Sequence, residues 1–324
     1  MLKPVVVILH NRISENPAPD EADVLSQVKL VREALDELGY NCIIQDIGLD
    51  LYRDLLKIKE LSPDFVFNLV ETVLGKSELL SVVPSILGAM KLPYTGVSDE
   101  GLFLTTRKTL AKKIMDEKGI RTPEWFSSFD TDFAFDPLRK FIFKPVSEEG
   151  SVGLEEDAVF WGGDAGRLLG NPETDLRHYF VEEFIEGREF NLSITGKPGN
   201  YTVYPVAEML FNNFPAGKEH ILGYRAKWHE DSLEYKSTCR VFGTLENDLE
   251  LQQKLVAAAL TCGVVFNLSG YFRVDFRVAG NGQPYVLEIN GNPCISHDSG
   301  FIAATEKAGL NRTEVIKRII ACLN

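Results

Sequence analysis

Residues Tyr271–Asn290 read YFRVDFRVAGNGQPYVLEIN. Apolar and polar residues alternate on both sides of Asn281-Gly282, and Asn-Gly between two alternating runs is the strongest short-range signal of a β-hairpin. Pro284 has no backbone N–H to donate to the ladder, so we expect regular pairing to begin a residue or two beyond it. The stretch therefore predicts an antiparallel hairpin with an Asn-Gly turn.

The position of that turn sets which side chains of the hairpin face each other. Asp275 is expected opposite Glu288 and Arg273 opposite Asn290, and period-two alternation puts all four on one face. Two opposed carboxylates destabilise a sheet unless a proton, a cation or solvent neutralises them. An all-oxygen set of Asp, Glu and Asn suits Mg²⁺, whereas a polar, solvent-facing side of the hairpin explains the same residues without a metal. The hairpin alone leaves both interpretations open.

Length and composition set the class of protein. With 324 residues the chain is long enough for two or three packed domains. Its 34 basic and 47 acidic residues give a net charge of −13, which disfavours binding to nucleic acid or to an anionic membrane surface. No apolar run approaches the roughly 20 residues of a membrane span, and the five cysteines form no CxxC pair. We therefore expect a cytoplasmic protein with neither nucleic-acid nor membrane partners.

Short strands that alternate with helices predict an α/β fold that begins with a small parallel sheet. The early part of the chain offers strands at 5–9, 42–47 and 64–69, with a helix between the first two that ends at Gly39. Further helices are predicted at 106–118, 248–260 and 313–323, and further strands at 141–143 and 179–184. Domain boundaries are expected near Pro93 and Asn171-Pro172, where Gly and Pro cluster. No GxGxxG follows the first strand, so a dinucleotide-binding Rossmann domain has no support.

A second group of residues has the chemistry to bind a nucleoside triphosphate. Lys144 ends an apolar run, and Gly150, Ser151 and Gly153 follow, so backbone N–H groups of a glycine-containing loop can approach phosphate oxygens. Taken alone, the loop is better explained as a plain turn, and Lys144 is open to explanation as a surface lysine. The acidic and apolar stretch 181–189 can line an adenine and its ribose, or can form an edge strand with a solvated acidic turn.

Taken in order, these segments resemble the D-alanine–D-alanine ligase family of ATP-grasp enzymes. The matching segments are Phe67-Asn68, LPYTG at 92–96, Lys108 with GIRTP at 119–123, Lys144-Pro145 through Gly153, Glu182–Glu189, YRAK at 224–227, RVD at 273–275, EIN at 288–290 and Pro293. The resemblance implies a mixed α/β (α+β) ATP-grasp fold in three parts. These are an N-terminal Rossmann-like α/β domain at 1–95, a central ATP-grasp subdomain at 96–180 and a C-terminal ATP-grasp catalytic domain at 181–324.

The resemblance also implies a nucleotide and metal site. Its implied ATP-binding residues are Lys108, Lys144 and Ser151 at the phosphates, Glu182 with the backbone around Glu183 and Ile185 at the adenine, and Glu189 at the ribose. Asp275, Glu288 and Asn290 are implied to ligate two Mg²⁺ ions, with Glu288 bridging them and Mn²⁺ left open as a substitute. This is the same ligand set that the hairpin register brings together.

The implied reaction joins a small-molecule carboxylate to a small-molecule amine through an acyl phosphate. Lys227 is implied to bind the γ-phosphate, Arg273 to stabilise the oxyanion beside the backbone N–H of Cys294, and Ser299 to hold the carboxylate of the second substrate. The stretch from Phe211 to Tyr235, rich in Asn, Gly, Lys and His, is predicted to be a mobile lid that carries Lys227. A homodimer is left open.

Departures from the family pattern cluster on the substrate side. They are Gly150 at the first of two loop serines, Trp228 at a tyrosine, Cys294 at a glycine, and the lack of a Gly-Gly-x-Ser-x-Glu after the first strand. A pocket without partners for an ammonium binds D-alanine poorly, because unpaired buried polar groups are costly. Glu15, Asp23 and Glu71 remain as alternatives for holding the substrate amine. Cys294 is expected to act as a small buried residue rather than as a nucleophile.

Three functions are therefore compared. The first is a D-alanine–D-alanine ligase, and the second is a ligase on the same scaffold for another carboxylate and amine. The third is an ATP-binding protein that has lost turnover. The complete metal-ligand set and both phosphate lysines argue against the third, while the substrate-side departures favour the second over strict D-alanine specificity.

Overall fold

The computed structural model describes residues 3–48, 50–127, 134–147, 151, 153–154, 157–166 and 178–324. The strands are β1 (Val5–Asn11), β2 (Asn41–Ile47), β3 (Phe65–Leu69), β4 (Trp125–Phe126), β5 (Lys140–Pro145), β6 (Val159–Trp161), β7 (Tyr179–Glu183), β8 (Gly187–Lys197), β9 (Asn200–Val203), β10 (Ala207–Phe211), β11 (Thr238–Phe242), β12 (Gly270–Ala279) and β13 (Pro284–Gly291). The helices are α1 (Pro19–Glu37), α2 (Leu51–Glu60), α3 (Val82–Ala89), α4 (Asp99–Thr106), α5 (Lys108–Glu117), α6 (Tyr224–Trp228), α7 (Leu233–Ser237), α8 (Leu249–Val265), α9 (Gly300–Lys307) and α10 (Arg312–Ile320).

The first sheet is parallel, with strand order β2-β1-β3, as the strand–helix–strand pattern predicted. Val6–Leu9 of β1 are fully buried, which is typical of a central parallel strand covered on both faces. Helix α1 packs its apolar stripe on this sheet, and the chain leaves the helix at Gly39 with φ 87°. The predicted boundaries of these elements are confirmed to within a few residues, apart from the start of α1, which precedes its apolar stripe.

The other two sheets carry the predicted site residues. A four-stranded antiparallel sheet has the order β4-β7-β5-β6, and its small core contains Phe141, Phe160 and Val181. A larger sheet has the order β11-β10-β8-β12-β13, with β9 pairing to β8. One face of this larger sheet packs on α8 around Phe190, Phe272 and neighbouring apolar residues. Its other face is therefore free to present polar side chains towards the four-stranded sheet.

The predicted hairpin is present as β12 and β13, with Gly282 in its turn at φ 79°. Asp275 pairs with Glu288 and Arg273 with Asn290, so the predicted register is confirmed at the site. Towards the turn the expectation is wrong, because Pro284 already pairs with Val278. A shift in register lies instead between Asp275 and Phe276, which adds one residue to β13 at this point.

The helix predicted at 106–118 is confirmed as α5, which runs from Lys108 to Glu117 and is followed by Gly119 at φ 70°, and a further helix, α4, ends just before it at Thr106. Arg107 has φ −89° and ψ 90°, an extended conformation that ends α4 and precedes α5. Ser98 caps α4 by accepting a hydrogen bond from the Gly101 N–H at 3.2 Å, so α4 has its own start signal upstream of the predicted range. The break fixes the direction of α5, whose first residue is Lys108.

Several helices pack across the predicted domain boundaries. The C-terminal helices α9 and α10 pack on α1 and the first sheet, and α4 and α5 pack against the core of the larger sheet. The divisions at 1–95, 96–180 and 181–324 remain predictions. Among the described residues, no helix is both long and apolar enough to cross a bilayer.

Candidate active site

A cleft lies between the four-stranded sheet and the polar face of the larger sheet. Its empty space, open mouth included, is about 810 Å³, within the range of small-molecule sites. Ten of the predicted site residues line it, namely Lys108, Lys144, Ser151, Glu182, Glu183, Ile185, Glu189, Lys227, Asp275 and Glu288. The structure thus brings together residues that are up to 180 positions apart in the sequence.

Glu288 is the anionic centre of the cleft. Its carboxylate lies 3.7 Å from the Lys108 ammonium. Burial opposes its ionisation, but the positive charges of Lys108, Lys144, Lys227 and Arg273 outweigh burial and lower the Glu288 pKa to about 2. This carboxylate is therefore ionised at neutral pH and is held among four cations.

Asp275 is neutralised by its neighbours on the same face. Arg273 binds it in a two-point pair, with Nε 2.7 Å from Oδ1 and Nη2 2.8 Å from Oδ2. Asn191 donates to Oδ1 at 2.7 Å, and Asn290 donates to Oδ2 at 2.9 Å and to Glu288 Oε1 at 3.4 Å. These contacts provide the neutralisation that two opposed carboxylates require, and they place Asn290 within hydrogen-bonding range of both Asp275 and Glu288.

The donor set fits a hard divalent cation. Asp275, Glu288 and Asn290 supply only oxygen ligands from one face of one hairpin. Within the described part of the chain, no group of three or more His, Cys, Asp or Glu side chains could hold a metal. Two carboxylates and one amide suit Mg²⁺, which usually keeps water and substrate phosphate oxygens among its ligands rather than a complete protein cage.

Glu182 lies in the wall of the cleft between two lysines. Its carboxylate is 2.6 Å from Lys112 Nζ and 2.5 Å from Lys144 Nζ. Burial opposes ionisation, but the two ammonium groups outweigh it and lower the Glu182 pKa. Lys112, only 1% exposed, also donates to Thr122 Oγ1 at 2.6 Å, and its own pKa is lowered chiefly by burial.

Lys112 is a site residue that the sequence analysis missed. It follows Lys108 by four residues on the helix that was predicted there, so the two side chains lie on one face of α5. Lys108 reaches Glu288, and Lys112 reaches Glu182. The i, i+4 spacing of two lysines was the available signal, but it did not identify the distant partners.

The cleft also has an apolar part to its lining, which suits a planar base. The apolar side chains that line it are Ile142, Leu154, Phe184, Ile185, Ile221, Leu222 and Leu287. Glu189 is buried and pairs with Arg277 at 2.9 Å, while Glu183 at the rim accepts from Arg139 Nε at 3.2 Å. Arg277 was not predicted. The adenine and ribose roles of Glu182 and Glu189 remain predictions, since each carboxylate already has cationic partners.

The phosphate loop and the predicted lid are joined by hydrogen bonds. Ser151, with φ 64°, donates through its hydroxyl to the Leu222 carbonyl at 2.7 Å, and the Tyr224 N–H donates to the Leu154 carbonyl at 3.2 Å. The Tyr224 hydroxyl donates to Asp20 on α1 at 2.6 Å. The predicted departure at Gly150 lies outside the described residues.

Lys227 on α6 lines the cleft without an ion-pair partner within 4.0 Å among the described residues. Burial lowers its pKa, and the charge of Arg273 lowers it further, against the attraction of Glu288, Asp275 and Glu189. A half-buried cation without an ion-pair partner is well suited to bind an anionic ligand.

Cys294 lies next to two of the residues predicted as alternatives for binding the substrate amine. Its Sγ donates to Asp23 at 2.8 Å and lies 3.0 Å from the Ser296 hydroxyl. Burial raises the Cys294 pKa well above its ordinary value, and the charges of Asp23 and Glu71 raise it further. The thiol is therefore protonated at neutral pH, which favours the expected non-nucleophilic role. Glu15, the third alternative, is exposed on the loop after β1.

Ser299 begins the helix that borders this side of the site. Its hydroxyl accepts from the Ile302 N–H at 3.3 Å as the N-cap of α9. Arg240 on β11 approaches the same turn and donates to the Asp298 carbonyl at 3.3 Å. No pattern in the sequence pointed to Arg240.

Comparisons with known proteins agree with this arrangement. The family model described as D-ala D-ala ligase C-terminus matches residues 141–321. The chain is similar to the D-alanine–D-alanine ligase of Aquifex aeolicus, with 29% identity over 98% of this chain and 99% of that protein. It is also similar to the uncharacterized protein y4sG of Sinorhizobium fredii, with 28% identity over 89% of this chain and 84% of that protein. A solved structure of D-alanine–D-alanine ligase from Bacillus anthracis complexed with ATP has the same fold, with a TM-score of 0.74, 22% identity and coverage of 98% of this chain and 97% of that one.

Proposed function

The chain belongs to the D-alanine–D-alanine ligase family, and from this premise we propose that it is an ATP-dependent carboxylate–amine ligase. It activates a carboxylate as an acyl phosphate, joins it to an amine, and releases ADP and phosphate. The observation that carries the proposal is the convergence of Lys108, Lys144 and Lys227 on the Glu288 carboxylate in one cleft. Lys227 has no ion-pair partner within 4.0 Å among the described residues, and a triphosphate would supply an anionic partner for it beside the other two lysines.

In the proposed complex the lysines bind phosphate oxygens and offset the charge that spreads during phosphoryl transfer. Lys227 takes the γ-phosphate, since it has no ion-pair partner of its own among the described residues. Mg²⁺ held by Asp275, Glu288 and Asn290 would offset further phosphate charge. Two Mg²⁺ ions bridged by Glu288, with Mn²⁺ as a substitute, are part of this proposal.

Lys144 changes partner when the nucleotide binds. In the structure its ammonium is held by Glu182 at 2.5 Å. We propose that it moves to a phosphate, while Lys112 remains on Glu182 and keeps that carboxylate ionised and oriented towards the adenine amine. The backbone around Glu183 and Ile185 holds the base, Glu189 holds the ribose, and Ser151 stays at the phosphate loop.

Arg273 provides a positive charge for the second half of the reaction. When the amine attacks the acyl carbon, negative charge develops on the carbonyl oxygen, and a guanidinium beside it stabilises the transition state. Arg273 lies on β12 and is oriented by its pair with Asp275 at 2.7 Å, and Cys294 is near enough to interact with it electrostatically. The backbone N–H of Cys294 is its proposed companion donor.

The carboxylate substrate distinguishes two candidate functions. The Aquifex aeolicus relative is named for D-alanine, and D-alanine is the first candidate for both substrates. A different carboxylate substrate is the second candidate. Cys294 stands where the family has a glycine, and the carboxylates available for a substrate ammonium, Asp23 and Glu71, lie around its thiol. In both cases the partners are small molecules.

The test is a phosphate-release screen with purified protein, Mg-ATP and pooled D- and L-amino acids, followed by mass spectrometry of the products. We expect phosphate release that depends on an amino acid, together with a condensed product. Glu288→Gln, which removes the shared anionic centre, should abolish both signals. Phosphate release without a condensed product in every pool would contradict the proposal.

A further inference from the structure

Arg240 is a cation near the reaction centre that the proposed mechanism does not use. It lies on β11, opposite Met209 of β10, and is half-buried. Its Nη1 donates to the backbone carbonyl of Asp298 at 3.3 Å. Its Nε is buried and has no hydrogen-bond partner among the described residues. The guanidinium thus has a neutral carbonyl as a partner and an N–H group still to be satisfied.

An unsatisfied guanidinium in this position is costly in the free protein. No carboxylate among the described residues lies within ion-pair distance of Arg240, although Asp298 attracts it from further away. Burial lowers the Arg240 pKa, and the positive charge of Arg273 lowers it further. Two neighbouring guanidinium groups repel each other, so an anion bound at Arg240 would relieve both desolvation and repulsion.

The position of the guanidinium identifies which substrate it faces. A Cβ built on Gly300 would lie 3.5 Å from both Nε and Nη2 of Arg240, so the guanidinium lies against the first residue of α9. The preceding residue, Ser299, is the one implied to hold the carboxylate of the second substrate. Arg240 therefore lies beside Ser299, on the amine-substrate side, and Cys294 is close enough to act on it electrostatically.

We propose that Arg240 is a specificity-determining residue that binds the carboxylate of an amino-acid amine substrate, beside Ser299. The planar guanidinium presents parallel N–H groups that match a carboxylate, which a lysine does not. An amine without a carboxylate would leave the guanidinium without an anionic partner and would bind more weakly. The inference rests on the proposed ligase function, because it assigns the amine substrate of that same site.

Calorimetry tests the inference without requiring turnover. D- and L-alanine, serine and aspartate, each with its carboxamide, are titrated into protein saturated with Mg²⁺ and a non-hydrolysable ATP analogue. The variants are Arg240→Gln, Arg240→Lys and, as a matched control, the exposed Arg318→Gln. We expect an amino acid to bind the wild type about 10- to 100-fold more tightly than Arg240→Gln, which is the range for a hydrogen-bonded charged group.

The pattern across variants separates this role from a structural one. Binding of the matching carboxamide should be weak and unchanged by Arg240→Gln, Arg240→Lys should restore part of the loss, and the control should behave like the wild type. The inference is overturned if no amino acid binds the wild type, if every binding event persists unchanged in Arg240→Gln, or if the carboxamide is weakened equally. Arg240-dependent amino-acid binding together with a failed phosphate-release screen would contradict the ligase function and not this assignment.

Discussion

Replacing Glu182 with glutamine would leave two lysines in the wall of the cleft without their shared carboxylate. Lys112 and Glu182 are each 1% exposed, and the Lys144 side chain is 14% exposed. Removing one partner of a buried ion pair costs about 3–5 kcal/mol, because the other charge stays buried and uncompensated. Glu182 serves two cations, so we expect Glu182→Gln to cost about 4–5 kcal/mol of the free energy of unfolding.

Removing Lys112 should cost much less. In Lys112→Met, Glu182 keeps Lys144 at 2.5 Å, and the Thr122 hydroxyl still donates to the Val286 carbonyl at 2.8 Å. The loss is one charged hydrogen-bonding partner, partly offset by the apolar methionine, or about 1–2 kcal/mol. The double variant Lys112→Met/Glu182→Met removes both members of the most buried pair, so it should be more stable than Glu182→Gln alone.

Urea unfolding followed by tryptophan fluorescence measures this order. Trp125 pairs directly with Glu182 across β4 and β7, so its emission reports on the sheet that contains the ion pair. Mg-ATP binding provides a second readout, in which Lys144→Met loses affinity and Lys112→Met retains most of it. If Lys112→Met proved as destabilising as Glu182→Gln, or the double variant proved the least stable of the three, the reasoning on the Lys112–Glu182–Lys144 cluster would be refuted.

Four further outcomes follow from the site. Glu288→Gln should remove the Mg²⁺ dependence of ATP binding in calorimetry, and unchanged metal dependence would contradict the metal assignment. The segment from Phe211 to Tyr235 should resist limited proteolysis better with Mg-ATP than without it, and Tyr224→Phe, which loses the bond to Asp20, should reduce that protection. Cys294→Ala should stay within a few-fold of wild-type turnover while Arg273→Ala loses about 100-fold or more, as for an oxyanion donor; inactive Cys294→Ala with intact ATP binding would require a chemical role for the thiol. Burial opposes ionisation of Glu234, but its bonds with Lys218 and Arg225 outweigh burial and lower its pKa from 4.5 to about 2. The contribution of Glu234 to stability is therefore present above pH 4.5 and is lost as the pH falls towards 2. A stability profile identical to that of Glu234→Gln over this pH range would contradict this prediction.

The hairpin could be predicted because its information is local. Asn281-Gly282 fixes the turn, and alternation fixes the face, so the pairing of Asp275 with Glu288 follows from a few neighbouring residues. The bulge beyond Asp275 could not be predicted from the hairpin alone, because next to the extra residue the Val286 N–H donates to the distant Arg121 carbonyl at 2.9 Å. The resemblance supplied the remaining cleft residues, and ten of them do line one cavity.

The residues that were missed depend on distant partners. Lys112 precedes the four-stranded sheet in the chain, whereas its partner Glu182 lies on β7, a strand of that sheet. Arg277 meets Glu189 only because β8 and β12 are neighbours. Arg240 belongs to a strand without a recognisable motif and meets Asp298 across a gap of 58 residues. Pattern reasoning identifies side chains that share an element, whereas these contacts arise from the way separate elements pack.

The central claim is that a substrate carboxylate is activated by phosphoryl transfer. The most direct measurement uses amino acids whose carboxylate oxygens carry a heavy isotope, incubated with the protein and Mg-ATP, with mass analysis of the released phosphate. An acyl phosphate transfers one carboxylate oxygen to phosphate when the amine displaces it, so the account predicts that each phosphate formed with a condensed product carries one heavy oxygen. Unlabelled phosphate, formed while the condensed product accumulates, would contradict it.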